Sequence, residues 1–548
     1  MSSRVRVPAV LQRQWARVPT RLRLPVAVYA TCQVIYLAWW TAFFPGLASY
    51  DSITYIWEVT TSNWIDDHSI LYDSLVWLSL QVSGDIWPLT LLQTIAISLV
   101  LAYTCVALRD LGVRGRWSAL AAVCVAVVPS TGSLTEFIWK DAAFGISALL
   151  AFAAAARLIA RRIDNRSWVR DRWFYVQIGV LEAGFLGVAF FRNSSVDALI
   201  AALPLLLLAM RNMRLWITAL VAGTTVLYLV VNFLVYPALG VKLPGKDSYY
   251  SMNYADIAVA YGTYPYTFTK HDKEVMEKVA PLSAWGGKAA NCWDVDWTMA
   301  ALNRPEAVKI NDQLMTIWDE VLKRTPQSVV QGRLCRSQIA WGIFPGPANL
   351  EGTTLIAWPQ FSANLWGQSA PGNRMAHSKY LPVLKSRPPS DTLHKAGIWY
   401  YMLSMSTQTQ WLLWRGAFWS YSVYALVIAL ARKRRSLGWP YLGLAGISFG
   451  LQMAVIAANP AALSRYIIPA MMIGFMTMPM ISLLSRTQPP TEAELELDRV
   501  RPGDSGDGPS AAPAPAAAEP AAVEPAVVEP AAVEPGVVEP SESESDGR

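Results

Sequence analysis

Charge is scarce in this chain. Only 16% of its 548 residues are Asp, Glu, Lys or Arg, while 53% are hydrophobic, a balance that excludes an ordinary soluble domain and calls for lipid around much of the surface. Histidine and cysteine are scarcer still. The four histidines (His68, His271, His377, His394) are far apart and the five cysteines contain no Cys-x-x-Cys pair, so a dedicated zinc site is not expected. The net charge of +6 does not indicate a nucleic-acid partner, because the arginines sit at the ends of apolar segments rather than on one continuous basic face. A cleavable signal peptide is not expected: the first apolar run is too long, and the basic region before it covers more than twenty residues.

What the chain does have is long apolar runs. A membrane-spanning helix needs about 20 mostly apolar residues to cross roughly 30 Å of hydrocarbon. Such runs occur at about 25–44, 86–108, 117–134, 142–160, 173–191, 195–210, 215–236, 411–431, 438–458 and 466–484. The expected fold is therefore an all-α polytopic membrane protein with about ten transmembrane helices, in which an even number of spans returns both termini to one side.

Basic residues set the orientation. Arg4, Arg6, Arg13, Arg17, Arg21 and Arg23 precede the first span; Arg109, Arg114 and Arg116 follow the second; Arg157, Arg161, Arg162, Arg166, Arg170 and Arg172 follow the fourth. Arg211 and Arg214 follow the sixth, and Arg432, Lys433, Arg434 and Arg435 the eighth. These 21 residues fall on one side, against Lys140, Arg192 and Arg465 in the short loops of the other. The positive-inside rule makes the crowded side cytoplasmic. The first outer loop, about 45–85, has no Lys or Arg and carries Asp51, Glu58, Asp66, Asp67, Asp73 and Asp85.

This divides the chain into a basic cytoplasmic N-terminus (1–24), seven spans (25–236), an extracytoplasmic domain (237–410), three spans (411–485) and a tail (486–548). In the outer domain Asn303 and Pro305 signal a helix start, followed by Ile310, Leu314, Ile317, Trp318, Val321 and Leu322 at helical spacing. The stretches Tyr249 to Tyr266 and Ala340 to Gly372, rich in Gly, Pro, Trp and Tyr, suggest long ordered loops, with few strands anywhere. The tail carries near-repeats of Ala-Ala-Val-Glu-Pro and too few apolar residues to bury a core, which predicts disorder. Cys32, Cys105 and Cys124 lie within spans, leaving Cys292 and Cys335 as the two cysteines of the oxidising compartment and predicting that they pair.

Ionisable groups at membrane depth or at the mouth of a bundle are costly and therefore functional candidates. Here they gather on the outer face: Asp51; Asp66, Asp67 and His68; Glu136, Lys140 and Asp141; Arg192; Arg465. Carboxylates and cations converging there suit a reaction that deprotonates a hydroxyl while an anionic group is held or released. Structural roles are open to each. Asp51 precedes Ile53, Tyr55, Ile56 and Val59 and could cap an amphipathic helix on the membrane; Lys140 and Asp141 could form an interfacial pair; Arg192 could snorkel; Arg465 with Tyr466 could anchor a helix; His68 could be an ordinary loop histidine.

Phe44-Pro45-Gly46 through Tyr50-Asp51-Ser52, then Asp66-Asp67-His68, then Trp139-Lys140-Asp141 opening a later span, resemble the multi-span GT-C glycosyltransferase superfamily and a bacterial group within it. Arg465-Tyr466 with Pro469, and Trp318 with Pro326, are similar to motifs of that group. The resemblance covers most of residues 25–485 in layout and about a dozen positions in specific motifs. It implies an inverting transferase that takes a sugar from a polyprenyl-phosphate donor and delivers it to an acceptor hydroxyl on a glycan, glycolipid or protein outside the cytoplasm. Asp51 would be the general base, with Lys140, Arg192 and Arg465 toward the leaving phosphate and Asp141 fixing Lys140 or contacting the sugar. Where such relatives often have His-Pro, this chain has His68-Ser69. No Asp-x-Asp stands in the first two outer loops, so no metal ligands are assigned and a metal-bridged donor is not favoured. Two other classes use the same residues: a transporter or flippase for a lipid-linked or anionic solute, which favours internal repeats and charges at span centres, and a non-catalytic scaffold, which tolerates replacement of Asp51 and Lys140.

Overall fold

The computed structural model describes residues 18–163, 171–192, 195–344, 375, 378–433 and 439–485. The expected disordered tail, the arginines before residue 18, Arg166, Arg170, Arg434, Arg435, His377 and residues 345–372 of the expected Ala340–Gly372 loop lie outside the described residues.

The apolar runs are largely helical, but the run at 117–134 breaks at Val128 and the run at 411–431 breaks at Trp414 and Arg415. Six helices are long and apolar enough to cross a membrane: α1 (Thr20–Ala42), α4 (Trp87–Asp110), α6 (Lys140–Ile163), α7 (Arg172–Phe191), α9 (Arg211–Ala238) and α16 (Trp439–Ala457). Three shorter apolar helices join them: α5 (Gly115–Val127), α8 (Val196–Ala209) and α17 (Ile468–Leu483). The 18-residue α15 (Gly416–Lys433) packs against α17. Small residues let these helices approach closely, as lipid-embedded packing requires. A Cβ on Gly184 of α7 would come within 2.7 Å of the Ala151 backbone on α6, so this helix pair is closed by the missing side chain.

The first outer stretch is not a loop but two helices, α2 (Tyr50–Thr61) and α3 (Ile70–Ser83). Ile53, Tyr55, Ile56 and Val59 of α2 are buried in the protein core, so α2 does not float on a membrane surface. Its first turn is capped by Ser49 and Ser52 rather than by Asp51: the Ser49 N–H donates to Ser52 Oγ at 2.8 Å.

Between α9 and α14 (Asp391–Ser404) lies a helical lobe with its own hydrophobic cluster, in which Tyr254, Ile257, Trp285, Leu314, Ile317 and Val321 are central. The expected loop at Tyr249 to Tyr266 is largely a helix, α10 (Ser251–Thr263). Tyr254, Ile257 and Ala258 recur at helical spacing and are fully buried, and that burial outweighs the turn propensity of the surrounding Gly and Pro. The expected helix beginning at Asn303 is broken in two, α11 (Arg304–Lys309) and α12 (Asn311–Arg324). Asn303 caps the first by accepting from the Glu306 N–H at 3.3 Å, and α12 buries Leu314, Ile317 and Val321. Pro326 then opens α13 (Pro326–Arg336). No strand occurs among the described residues; isolated bridges pair Leu47 with Phe137, Ile65 with Lys242, and Asp294 with Ala461.

Cys292 and Cys335 are joined, with Cα atoms 5.7 Å apart and a sequence separation of 43. A loop of that length implies roughly 4 kcal/mol of stabilisation in the chain-entropy model. Reduction, or Cys292→Ser, is therefore expected to make the lobe markedly more susceptible to proteolysis while the membrane helices stay folded. Limited proteolysis with and without reductant checks this, and alkylation of both thiols in the native unreduced protein would overturn the pairing.

Candidate functional site

Chain segments on either side of α4 are stitched together at one end of the bundle. The Leu47 N–H donates to the Glu136 carbonyl at 2.7 Å, and Ile138 N–H returns a bond to Leu47 at 2.8 Å. From α4, Thr90 Oγ1 donates to the Pro45 carbonyl at 2.7 Å, and Gln93 Nε2 donates to Thr135 and Phe137 carbonyls at 2.6 and 3.0 Å. Gly46 permits the crossing: its φ is +153°, and a Cβ there would lie 2.6 Å from Thr90. Ser52 Oγ donates to the Ile138 carbonyl at 2.9 Å, and Trp139 Nε1 donates to Ser49 Oγ. These bonds set the first turn of α2, with Asp51, beside the first turn of α6, with Lys140 and Asp141.

Ser69 secures a third corner. Its hydroxyl caps α3 through Tyr72 N–H at 3.1 Å and donates to the Phe190 carbonyl at 2.7 Å, two residues before Arg192. The helical lobe supplies the fourth. Val295 N–H donates to the Pro460 carbonyl at 3.0 Å and Ala462 N–H to the Trp293 carbonyl at 2.8 Å, fixing Asp294 and Asp296 over the segment that leads to Arg465.

The result is a cavity of about 900 Å³ whose wall includes Asp51, His68, Lys140, Arg192 and Arg465. Asp141 is not on that wall. It is fully buried beneath it, 3.6 Å from Arg192 Nη1 and 3.9 Å from Arg465 Nε. One buried carboxylate thus sits within ion-pair range of two guanidinium groups, and its charge acts on the adjacent Lys140 as well. Tyr466 supports the same pair: Arg192 lies over its ring at 4.1 Å, and Arg465 Nη2 donates to its hydroxyl at 3.2 Å. Arg192 is 8% exposed, too enclosed by protein for a snorkelling side chain.

Asp51 is not the unpaired carboxylate its surrounding sequence suggests. Arg465 Nη1 donates to its Oδ2 at 2.5 Å. Burial pushes the Asp51 pKa up, but Arg465, with His68 and Lys140, outweighs burial and holds it at about 2. The expected rise in basicity from desolvation is therefore reversed, because a cation 414 residues away in sequence folds back onto it.

Lys140 Nζ lies 3.1 Å from His68 Nδ1. An ammonium can only donate, so Nδ1 is the unprotonated nitrogen of the ring. Burial and the neighbouring Lys140 charge both lower the His68 pKa, keeping the imidazole neutral as a rest for Lys140. The edge of the His68 ring meets Tyr55 at 5.0 Å. Behind the wall, Glu58 is fully buried, and burial, with Asp67 and Asp73 nearby, pushes its pKa up to about 9. It is neutral at pH 7 and cannot substitute for Asp51 as a base.

Residues outside the expected set also reach the cavity, among them Tyr466, Asn232, Asp294 and Asp296. Burial and Asp296 raise the Asp294 pKa to about 6. These two acids have an Asp-x-Asp spacing that a search of the first two outer loops passes over, and their position just past Cys292 was the available signal. Among the described residues no group of three or more His, Cys, Asp or Glu is placed to hold a metal ion. Compared with known proteins, the chain matches no family model, no curated protein and no solved structure.

Proposed function

We propose that this chain is a GT-C-type membrane glycosyltransferase that moves a sugar, with inversion, from a polyprenyl-phosphate donor to an acceptor hydroxyl outside the cytoplasm. The observation that carries the reading is the convergence, in one cavity, of a carboxylate (Asp51) with three cations (Lys140, Arg192, Arg465) drawn from four separate parts of the chain. In the proposed reaction the acceptor O–H proton passes to Asp51 as the acceptor oxygen bonds to the anomeric carbon. The bond from that carbon to the phosphate oxygen breaks on the opposite face, and the polyprenyl phosphate leaves with the electron pair. The cations take up its charge close to where they already stand, with Arg192 over the Tyr466 ring and Arg465 bonded to its hydroxyl.

Arg465 links the two halves. In the resting site it neutralises Asp51, and an arriving phosphate competes for the same guanidinium. Donor binding therefore releases the base, so that its basicity rises only when a leaving group is in place.

The reading includes ten spans, cytoplasmic termini and an extracytoplasmic segment 237–410, supported by the 21 to 3 division of the basic residues counted above. A cytoplasm-active reporter fused after Arg434 is expected to be active, and residue 300 to be labelled from outside; the reverse pattern overturns the topology. For the function itself, purified protein is expected to retain a polyprenyl-phosphate lipid detectable by mass spectrometry and to transfer its sugar to an added acceptor. Vectorial movement of the intact lipid-linked solute without transfer would instead support the transporter, and neither activity would leave the scaffold.

A further inference from the structure

Lys140, Arg192 and Arg465 share the cavity wall with carboxylates, but one side is mostly uncharged. Toward α9 the lining is Tyr228, Asn232 and Phe233, continued by Leu243 and Pro244 beyond the helix, with Asp66 and Lys246 at its edge. α9 is among the least enclosed of the long apolar helices: 22% of its apolar window is buried, against 83% for α6. It runs as α-helix to Val230 and then takes a π-helical turn, Val231–Val235, before its last residues. Such turns are rare and concentrate at functional sites. Asn232 is 6% exposed, whereas Phe233 and Leu234 beside it are each 66% exposed. An amide within a membrane-crossing helix is costly, and here it faces the cavity, with its Nδ2 donating to the Tyr228 carbonyl at 2.8 Å. The Tyr228 ring meets Phe190 at 5.7 Å, two residues before Arg192, so this mouth adjoins the cations directly.

A phosphate attached to a long hydrocarbon chain needs cations at one end and a largely apolar path to the bilayer at the other. We propose that the π turn of α9 is that path: a lateral portal through which the donor's prenyl tail leaves the cavity past Phe233 and Leu243, while its phosphate stays with Lys140, Arg192 and Arg465. This rests on the transferase reading and adds where the lipid enters. The molecule has a second apolar groove, about 340 Å³, lined by Ile35, Trp39, Ala42, Val127, Gly397 and Tyr400. No Lys or Arg lines it, so it offers the tail a surface but the phosphate nothing.

The test uses the full-length protein in nanodiscs, a photoreactive phenylalanine derivative placed singly at Phe233, Tyr400 or Leu215, and labelled polyprenyl monophosphate as the probe. Leu215, 86% exposed at the other end of α9, reports non-specific contact with lipid. Labelling at Phe233 is expected to saturate and to be lost on competition with unlabelled polyprenyl phosphate but not with the neutral prenol. Labelling at Leu215 should neither saturate nor be competed. Saturable labelling at Tyr400 with none at Phe233 would overturn the portal while leaving the transferase reading intact. The absence of saturable binding of the probe to the unmodified protein would overturn both.

Discussion

Asp51→Asn is expected to lower sugar transfer by about 10²–10⁴-fold, the range for loss of a general base, with helical content nearly unchanged and donor binding no weaker, since the carboxylate no longer competes for Arg465. The amide keeps the shape and can still accept from Arg465 Nη1, which lies 2.5 Å from the carboxylate in the native site. It cannot take up a proton. The cap of α2 is also untouched, because Ser49 and Ser52 make it, so reduced turnover could not be attributed to a frayed helix. A well-folded variant that transfers sugar at a near-normal rate would remove Asp51 from the mechanism and leave Asp66, Asp67, Asp294 and Asp296 as the other cavity-lining carboxylates to examine. Glu58 would not be among them, since its pKa of about 9 leaves it protonated at neutral pH.

Arg465→Gln is expected to reduce transfer by about 10²–10³-fold, the effect of losing one preorganised donor to a developing anion. It should also destabilise the protein by about 3–5 kcal/mol, because breaking one side of an enclosed ion pair leaves carboxylates uncompensated. Asp51 is 21% exposed and Asp141 fully buried, and after the substitution Asp141 retains only Arg192 at 3.6 Å. The pH dependence separates this role from simple loss of packing. The native Asp51 pKa is depressed to about 2, so its stabilising ionisation is present above the unfolded carboxyl value and is lost only as pH falls through about 2. In kcat/KM for the donor, which reports the donor-free enzyme, native transfer should show no acid limb from Asp51 at mildly acidic pH. Without Arg465 the burial of Asp51 loses its main opposing charge, its pKa rises, and an acid limb should enter the profile from below. Arg465→Lys should return the limb part of the way. If the Gln variant keeps the native profile, Arg465 does not control the ionisation of Asp51.

Much of the candidate site was legible for a simple reason. On the proposed ten-span reading consecutive spans alternate in direction, so the end of the first, the start of the fourth, the end of the fifth and the start of the tenth would share a face. Asp51, Lys140, Arg192 and Arg465 occupy those ends. The pairing of Cys292 with Cys335 was legible because the other three cysteines lie in apolar runs. Helices at Tyr249 to Tyr266 were not, because local Gly, Pro and Tyr content argues for turns and only burial of Tyr254 and Ile257 against the rest of the lobe reverses that preference.

The sequence by itself determined roughly where each long apolar helix lies along the chain and which end of it carries charge, since both follow from hydropathy within about twenty residues. It could not determine who meets whom. That Arg465 neutralises Asp51, that Lys140 rests on His68 rather than on Asp141, and that Asp141 joins two arginines beneath the cavity are decided by tertiary structure alone. These contacts depend on lateral packing, such as Gly184 against Ala151, and on backbone bonds between distant loops, such as Leu47 with Glu136 and Val295 with Pro460. Charges tens to hundreds of residues apart interact only through distance and dielectric, and the fold sets both.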